Sequence, residues 1–406
     1  MWVDLRRFLR GNRNIQLLML QAVVTQLCFG MFMVVWQPYI IELGGSFTQL
    51  GLIQVVITVF TGVGSLAWGR LADRRGRKPA HVGAMACRFI AILFALLSRS
   101  WTGFLGFGVF MGLSASWAQS NPVTTTFISE SVEDERMSTA LSLYTSAGTL
   151  IAVVAAPLGG AIAANEGYTL IFVSCIVGEL VNSVLAWLFM RETLEAPLSS
   201  ATSLSSGLRG LLVPERELLP FYLVSTLTMV SWRIAFSNLN AILFHEYGLT
   251  TVQLGLTASA FSLSYGLSQA PLGVLMDRHS KRGFFMVSRI GFLAIPLGYL
   301  LFPSFLTFMV VQVINGISHS FGVPSFITMV LARTPREKRS TVMGKLSTLP
   351  QVFSIPAPLI GGYLYERLGF EFLLYIRLMS MILTVVVSYL YIKPGREGVD
   401  PRRSME

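Results

Sequence analysis

Apolar residues in this chain come in long unbroken blocks, without the strict alternation of a half-buried strand. Twelve such blocks stand out, at 14–42, 47–71, 79–98, 103–130, 138–164, 167–190, 218–245, 250–275, 283–302, 304–332, 340–365 and 369–392. A bilayer core about 30 Å thick is crossed by about 20 mostly apolar residues in a helix. Each block is therefore predicted to be a membrane-spanning helix, numbered span 1 to span 12 in chain order. Several blocks are separated by only a few residues, so consecutive spans run antiparallel. A transmembrane β-barrel is excluded, because its strands alternate lipid-facing and lumen-facing residues. The pattern predicts an all-α polytopic membrane protein.

Composition agrees. The 406 residues are 53% apolar and 13% charged, against about 25% charged in a soluble domain. A soluble fold with so few charges could not cover its surface. The net charge of +10 is no nucleic-acid signature, because the basic residues gather in short runs between spans. With the N-terminus in the cytoplasm, the Lys and Arg of 1–13, 70–78, 136, 191–217, 278–282, 333–345 and the C-terminal tail all lie inside. Only Arg99 and Arg367 fall outside. That asymmetry predicts both termini in the cytoplasm of a multi-pass protein of the cell membrane. Met1–Arg13 is basic, but the apolar run after it is too long for a cleavable signal peptide. Cys28, Cys87 and Cys175 each lie inside a span, without metal-ligand spacing or a disulfide framework.

The one long internal loop, 191–217, is rich in Ser and reads as a flexible linker. It divides the chain into an N-terminal six-helix bundle (1–190) and a C-terminal six-helix bundle (218–406). The two halves repeat. Gly69-Arg-Leu-Ala-Asp73-Arg-Arg-Gly-Arg77-Lys78 after span 2 recurs as Gly273-Val-Leu-Met-Asp277-Arg-His-Ser-Lys281-Arg282 after span 8. Ala156-Pro157-Leu-Gly-Gly160 in span 5 recurs as Ala357-Pro358-Leu-Ile-Gly-Gly362 in span 11, and Glu135-Arg-Met-Ser138-Thr139 as Glu337-Lys-Arg-Ser340-Thr341. The fold expected is thus 12 transmembrane helices in two pseudo-symmetric halves.

The Gly-x-Leu-x-Asp-Arg-x-Gly-Arg-Lys run between spans 2 and 3, with its partial copy in the second half, resembles the major facilitator superfamily over the whole chain. The resemblance implies secondary transport by alternating access, the halves rocking around a central site. Gly69 and Gly273 let another helix approach the cytoplasmic ends of spans 2 and 8. Asp73 and Asp277 lie at that level, and Ser138 and Ser340 mark the starts of spans 5 and 11. A carboxylate at a helix start gains about 1 kcal/mol or more when partly buried. By analogy with the family, Asp73 faces the start of span 11 and Asp277 that of span 5 when the cytoplasmic side closes, with Arg77 in the same gate. Met276 and Ser280 depart from the pattern. The Pro-Leu-Gly-Gly elements resemble an antiporter motif in which Gly precedes Pro; Ala156 and Ala357 stand there instead. A close-packing bend accounts for them as well. The Arg frequent in span 4 of proton-linked members is missing; Ser114, Ser116, Trp117, Gln119 and Asn121 occupy that region.

Charges inside spans are costly and usually functional. Arg233 lies roughly 22 Å along span 7 and His319 about as far along span 10, in spans that line the cavity in this family. Arg289 is near enough to the cytoplasmic end of span 9 to snorkel, and Arg377 either snorkels or faces the cavity. Arg88 and Glu179 agree in depth: they form a buried ion pair, or Glu179 is a protonatable coupling group. Further polar candidates are Gln21, Thr25, Gln26 and Gln37 in span 1, Gln119 and Asn121 in span 4, Trp232 and Asn238 in span 7, with Gln269, Asn315 and Gln351. Each is an interhelical hydrogen-bonding group or a substrate contact.

Nothing resembles a metal-binding His pair, a nucleophile elbow or a nucleotide loop, so no enzyme, cofactor, metal or nucleic-acid partner is expected. The expectation is a monomeric transporter of a small organic solute, in lipid, with a proton as the candidate coupling ion. Arg233 and protonated His319 favour a carboxylate or other anionic group. Efflux of amphipathic or drug-like compounds is the alternative. Substrate contacts are expected from Arg233, His319, Gln26, Gln119, Asn121, Asn238, Gln269, Asn315 and Gln351.

Overall fold

A computed structural model describes residues 12–116, 122–132, 137–193, 213–335 and 338–392, and among these every regular element is helical. Nine stretches of helix among the described residues are long and apolar enough to cross a membrane. Spans 1, 2 and 3 are Arg13–Glu42, Phe47–Arg75 and Arg77–Leu97; spans 5 and 6 are Met137–Glu166 and Thr169–Phe189. Spans 8, 9 and 10 are Thr251–Arg278, Lys281–Leu301 and Phe305–Ala332. The helix Ala357–Tyr391 is broken at Gly369 (φ 79°) and holds the end of span 11 and all of span 12. Glu366 bonds to Thr48 at one end of the molecule, while the Tyr389 carbonyl accepts from Arg282 at the other, so the chain reverses at Gly369.

Three predicted spans are interrupted. Span 4 is split into Gly103–Leu113 and Pro122–Glu130. The Ser114 hydroxyl bonds back to the Met111 carbonyl and Ala115 takes φ 54°, which ends the first piece. Pro122, at the first position of the second piece, has no N–H to lose there. Span 7 breaks between Leu219–Phe236 and Leu239–His245, and span 11 between Arg339–Phe353 and Ala357. Pro356 lacks the donor that would continue the span-11 ladder. Continuous apolarity predicted unbroken helices at all three places; hydroxyl chemistry overrides it in span 4 and proline in span 11.

The repeat is visible in the backbone. Gly44 and Gly248 both turn the chain at positive φ ahead of spans 2 and 8, as Gly167 and Gly369 do ahead of spans 6 and 12. Spans 2 and 8 each open on a capping box, Ser46 with Gln49 and Thr250 with Gln253, which satisfies two otherwise unpaired amides.

Among the described residues the halves are hydrogen-bonded mainly toward one end. Call the end carrying the 70–78 and 278–282 segments the basic end. Hydrogen bonds between the halves gather at the opposite end: Thr48 with Glu366, Thr251 Oγ1 to the Gly160 carbonyl (2.7 Å), Ser259 Oγ to the Val153 carbonyl (2.6 Å) and Asn240 to the Met33 carbonyl (3.2 Å). Two symmetric seams lie there. A methyl group at Gly51 would overlap the Pro358 carbonyl and one at Gly362 the Phe47 carbonyl, in the seam of spans 2 and 11. In the seam of spans 8 and 5, one at Gly255 would lie 2.5 Å from the Ala156 carbonyl and one at Gly160 would overlap the Thr251 carbonyl. The repeated Ala-Pro elements thus serve as close backbone packing between the halves. At the basic end, added methyl groups at Gly69 and Gly273 would meet nothing within 4 Å.

Candidate functional site

Between the halves lies a cavity of about 380 Å³, walled by Thr25 and Gln26 of span 1, Tyr144 and Thr149 of span 5, and Phe261, Ser262 and Tyr265 of span 8. A second cavity of about 320 Å³ adjoins it through Thr25, Gln26 and Tyr144 and runs into the first half. Its wall holds Gln21, His81, Arg88, Ser114, Ser116 and Thr124. Of the predicted substrate contacts, Gln26 borders both cavities. Tyr144, Tyr265 and His81 were missed. Phe261 and Tyr265 are one turn apart and their rings stack at 5.8 Å; that spacing of aromatics in an otherwise Ser-rich span was the available signal.

Arg88 and Glu179 form an ion pair at 2.7 Å, with Glu179 1% exposed. Arg88 also donates to Ser116 (3.1 Å) and lies 5.4 Å from the ring centre of Phe29. Arg88 of span 3 also reaches the wall of the side cavity. Nearby, His81 meets Gln21 Oε1 at 3.1 Å, and Gln21 donates to the Asn182 carbonyl (2.9 Å).

Arg233 is half-buried and donates to Thr58 Oγ1 of span 2 at 3.0 Å, across the interface between the halves. No carboxylate pairs with it among the described residues. His319 sits edge-on between Phe261 (5.9 Å) and Phe292 (4.8 Å), so it reaches the central cavity only behind Phe261. Asn238 stands apart from the cavity. The break in span 7 frees the Ser237 carbonyl, which accepts from Gln37 (2.7 Å) and Gln54 (3.0 Å) of the other half. Asn238 accepts from Gln54 (2.6 Å) and donates to the Phe47 carbonyl (3.2 Å). A buried carbonyl without a helical partner must be satisfied from elsewhere, and these glutamines do so. Gln269 is exposed on span 8 and Asn315 donates to Gln312 (3.0 Å) on its own helix. Gln351 is half-buried beside the break in span 11. None of these three borders either of the two cavities described. Gln119 and Asn121 lie outside the described residues.

At the basic end Arg77, 5% exposed, holds Asp73 (2.5 Å) and Glu130 (2.8 Å). The Glu192 carboxylate accepts from the backbone amides of Arg77 (2.7 Å) and Lys78 (3.1 Å). Gly76 takes φ 114° there, and a methyl group on it would strike Glu192. Asp73 thus faces Arg77 and not span 11; the side chain of Asp277 lies outside the described residues. The carboxylate-to-helix-start device is present at the opposite end. Glu366 of span 11 accepts from the Thr48 amide (2.8 Å) and hydroxyl (2.5 Å) at the start of span 2, where the helix dipole favours a negative charge. Glu130, Glu192 and Glu366 were not singled out, because only the fold brings them to their partners.

Arg289 and Arg377 leave the snorkelling expectation. Both point inward, at 7% and 2% exposure, and both reach Thr228 of span 7.

Nine helical stretches apolar enough to cross a bilayer, a twofold repeat and halves hydrogen-bonded toward one end, among the described residues, are consistent with a transporter architecture. The model of the Major Facilitator Superfamily matches residues 18–219 and 221–405. The chain belongs to that superfamily. Among relatives of this superfamily member, the multidrug resistance protein MdtG of Yersinia enterocolitica is 21% identical over 396 residues, 93% of this chain and 92% of that one. The match to an MFS-type transporter of Methanocaldococcus jannaschii, 27% over 169 residues, covers 40% of this chain and 44% of that one. A solved bacterial homologue of the iron transporter ferroportin, described as inward-facing, superposes with a TM-score of 0.72 at 17% identity, over 93% of this chain and 98% of that one. The superfamily member is therefore a multi-pass membrane transporter.

Proposed function

We propose that this transporter moves small amphipathic organic solutes bearing an anionic group across the cell membrane by alternating access, with both termini in the cytoplasm. The observation that carries this reading is the sign of the charge inside the spans. Arg88, Arg233, Arg289 and Arg377 lie well inside the spans, where Glu179 is the one carboxylate at such depth, and Glu179 is already paired with Arg88. A cavity wall of hydroxyls, amides and aromatic rings adds an amphipathic surface without a carboxylate to receive a cation. With the basic end in the cytoplasm, the hydrogen bonds between the halves among the described residues lie toward the outer end, which supports an inward-open form. Asp73 and Asp277 are then the gate carboxylates of the opposite state. Glu179, buried behind Arg88, which lines the side cavity, is the proton-coupling group: Glu179→Gln should retain solute exchange and lose proton-driven accumulation.

Arg233 is the anion contact. Its guanidinium reaches across the interface with a hydroxyl as its partner, and its planar fork matches a carboxylate. Counterflow in proteoliposomes, with an arylcarboxylate and with tetraphenylphosphonium, tests the reading. The carboxylate should exchange, Arg233→Lys should weaken it about tenfold, and Arg233→Ala should abolish it in monodisperse protein. Exchange of the cation without the carboxylate would establish the second reading instead, efflux of drug-like compounds. That reading draws on the likeness to MdtG and on the stacked Phe261 and Tyr265.

A further inference from the structure

The second half buries two guanidiniums side by side with no acid to balance them. Arg377 of span 12 donates to the Thr228 carbonyl (2.9 Å) and to Ser231 Oγ (2.8 Å). Arg289 of span 9 donates to the Thr228 hydroxyl (3.2 Å) and is flanked by the rings of Phe285 and Phe292, each 4.9 Å away. The Nε–H of each arginine is fully buried without an acceptor. The Ser231 proton is spent on the Leu227 carbonyl (2.7 Å), whereas no acceptor for the Thr228 hydroxyl proton is found among the described residues.

No carboxylate stands within reach. Spans 7, 9 and 10 contain no Asp or Glu, and Glu246, Asp277, Glu366 and Glu371 lie at the ends of the neighbouring segments. The flanking aromatic faces offset part of one charge, but carbonyls and hydroxyls do not neutralise two. Buried charges in proteins are paired. Along their helices the arginines lie about 12 Å and about 11 Å from the nearer ends, too deep for a lipid headgroup.

We propose that Arg289, Arg377 and the Thr228 hydroxyl form a binding site for a small inorganic anion of the chloride class inside the C-terminal bundle. Charged and hydroxyl donors converge there, and a monatomic anion is the occupant that packed helices accommodate. The residues wall neither cavity described above, so the site stands whether or not the transported solute is anionic.

The test is the melting temperature of the purified full chain in detergent at constant ionic strength, with gluconate replaced stepwise by chloride, bromide or sulfate. Chloride and bromide should raise it in a saturable manner, by about 3–5 °C when the anion exceeds its Kd about a hundredfold. Arg377→Met removes one of two repelling charges. It should melt no lower than the parent in gluconate and show no saturable halide response. Thr228→Val keeps both charges and should shift half-saturation to several-fold higher chloride. A parent that melts alike in gluconate and in both halides overturns the proposal, as does a response confined to sulfate. A halide response unchanged in both variants overturns it too.

Discussion

Spans 3 and 6 of the first half carry Arg88 and Glu179; their counterparts in the second half, spans 9 and 12, carry Arg289 and Arg377. Aligning span 3 with span 9 by the 204-residue repeat sets Arg289 opposite Met85, one turn from Arg88. Aligning Gly167 with Gly369 sets Arg377 opposite Cys175, one turn before Glu179. Two copies of one scaffold therefore hold ionised groups at nearly the same depth and balance them differently. The first half neutralises its arginine with its own carboxylate at 2.7 Å. The second half spends its acid position on Met381, fully buried in the apolar core, and leaves its positive charge to be met by something other than the chain. Duplication preserved the helix packing and let the electrostatics diverge.

The largest effect expected from breaking this comparison is in the first half. Glu179→Leu leaves Arg88 uncompensated in a packed bundle and should cost about 3–5 kcal/mol, with most of the loss recovered in Arg88→Leu/Glu179→Leu. Equal melting of the single and double variants would show that the pair contributes nothing. A smaller effect sharpens the contrast. Met381→Glu installs the first half's acid one turn from Arg377 and should stabilise the protein in gluconate by about 1–3 kcal/mol, the scale of hydrogen bonds to charged groups. It should also erase the halide response. If the response persists, the installed acid has not met the charge.

The smallest effect concerns the basic ends. In the first half a buried arginine grips two carboxylates; in the second, Glu215 pairs with Lys345 at 2.6 Å and accepts from Tyr222 (2.6 Å), with Glu215 partly exposed. Partial burial pushes the Glu215 carboxyl up, but the bonds from Lys345 and Tyr222 outweigh it and hold the carboxyl below its ordinary value. A depressed folded value stabilises above the ordinary glutamate pKa of about 4.3. That contribution is lost as pH falls from there through the folded value. Screened by solvent, it should amount to at most about 1 kcal/mol. Glu215→Gln should therefore lose less stability than the parent between pH 5.5 and pH 3.5 by thermal melting. Parallel losses would remove Glu215 from the acid response.

Apolar block length carried the fold: spans 1, 2, 5 and 10 match their predicted limits closely, because nothing but helix satisfies a backbone in lipid. The breaks in spans 4, 7 and 11 were not legible, since a continuous apolar run is silent about where a serine hydroxyl, a glutamine from the other half or a proline meets the ladder. Depth arithmetic brought Arg88 and Glu179 together, because depth along a helix is readable without knowing its neighbours. It could not say that Arg289 turns inward to Thr228 while Gln269 turns outward, because rotation about the helix axis is set by packing. The cavity tyrosines escaped for the same reason. A carboxylate at a helix start was anticipated as a device, but its occurrence at Glu366 depends on which ends of the halves touch.

The break in span 7 has a consequence for the rate of transport. The Ser237 carbonyl is satisfied by Gln37 and Gln54, both from the opposite half, so separating the halves at that end strips the carbonyl of both donors at once. Water must arrive as the glutamines leave, since a direct hydrogen bond is replaced at little enthalpic cost only by a bridging water. Opening at that end is then a hydration step, and its rate should follow water activity: osmolytes excluded from the seam should slow turnover while leaving solute affinity in the form sealed there unchanged.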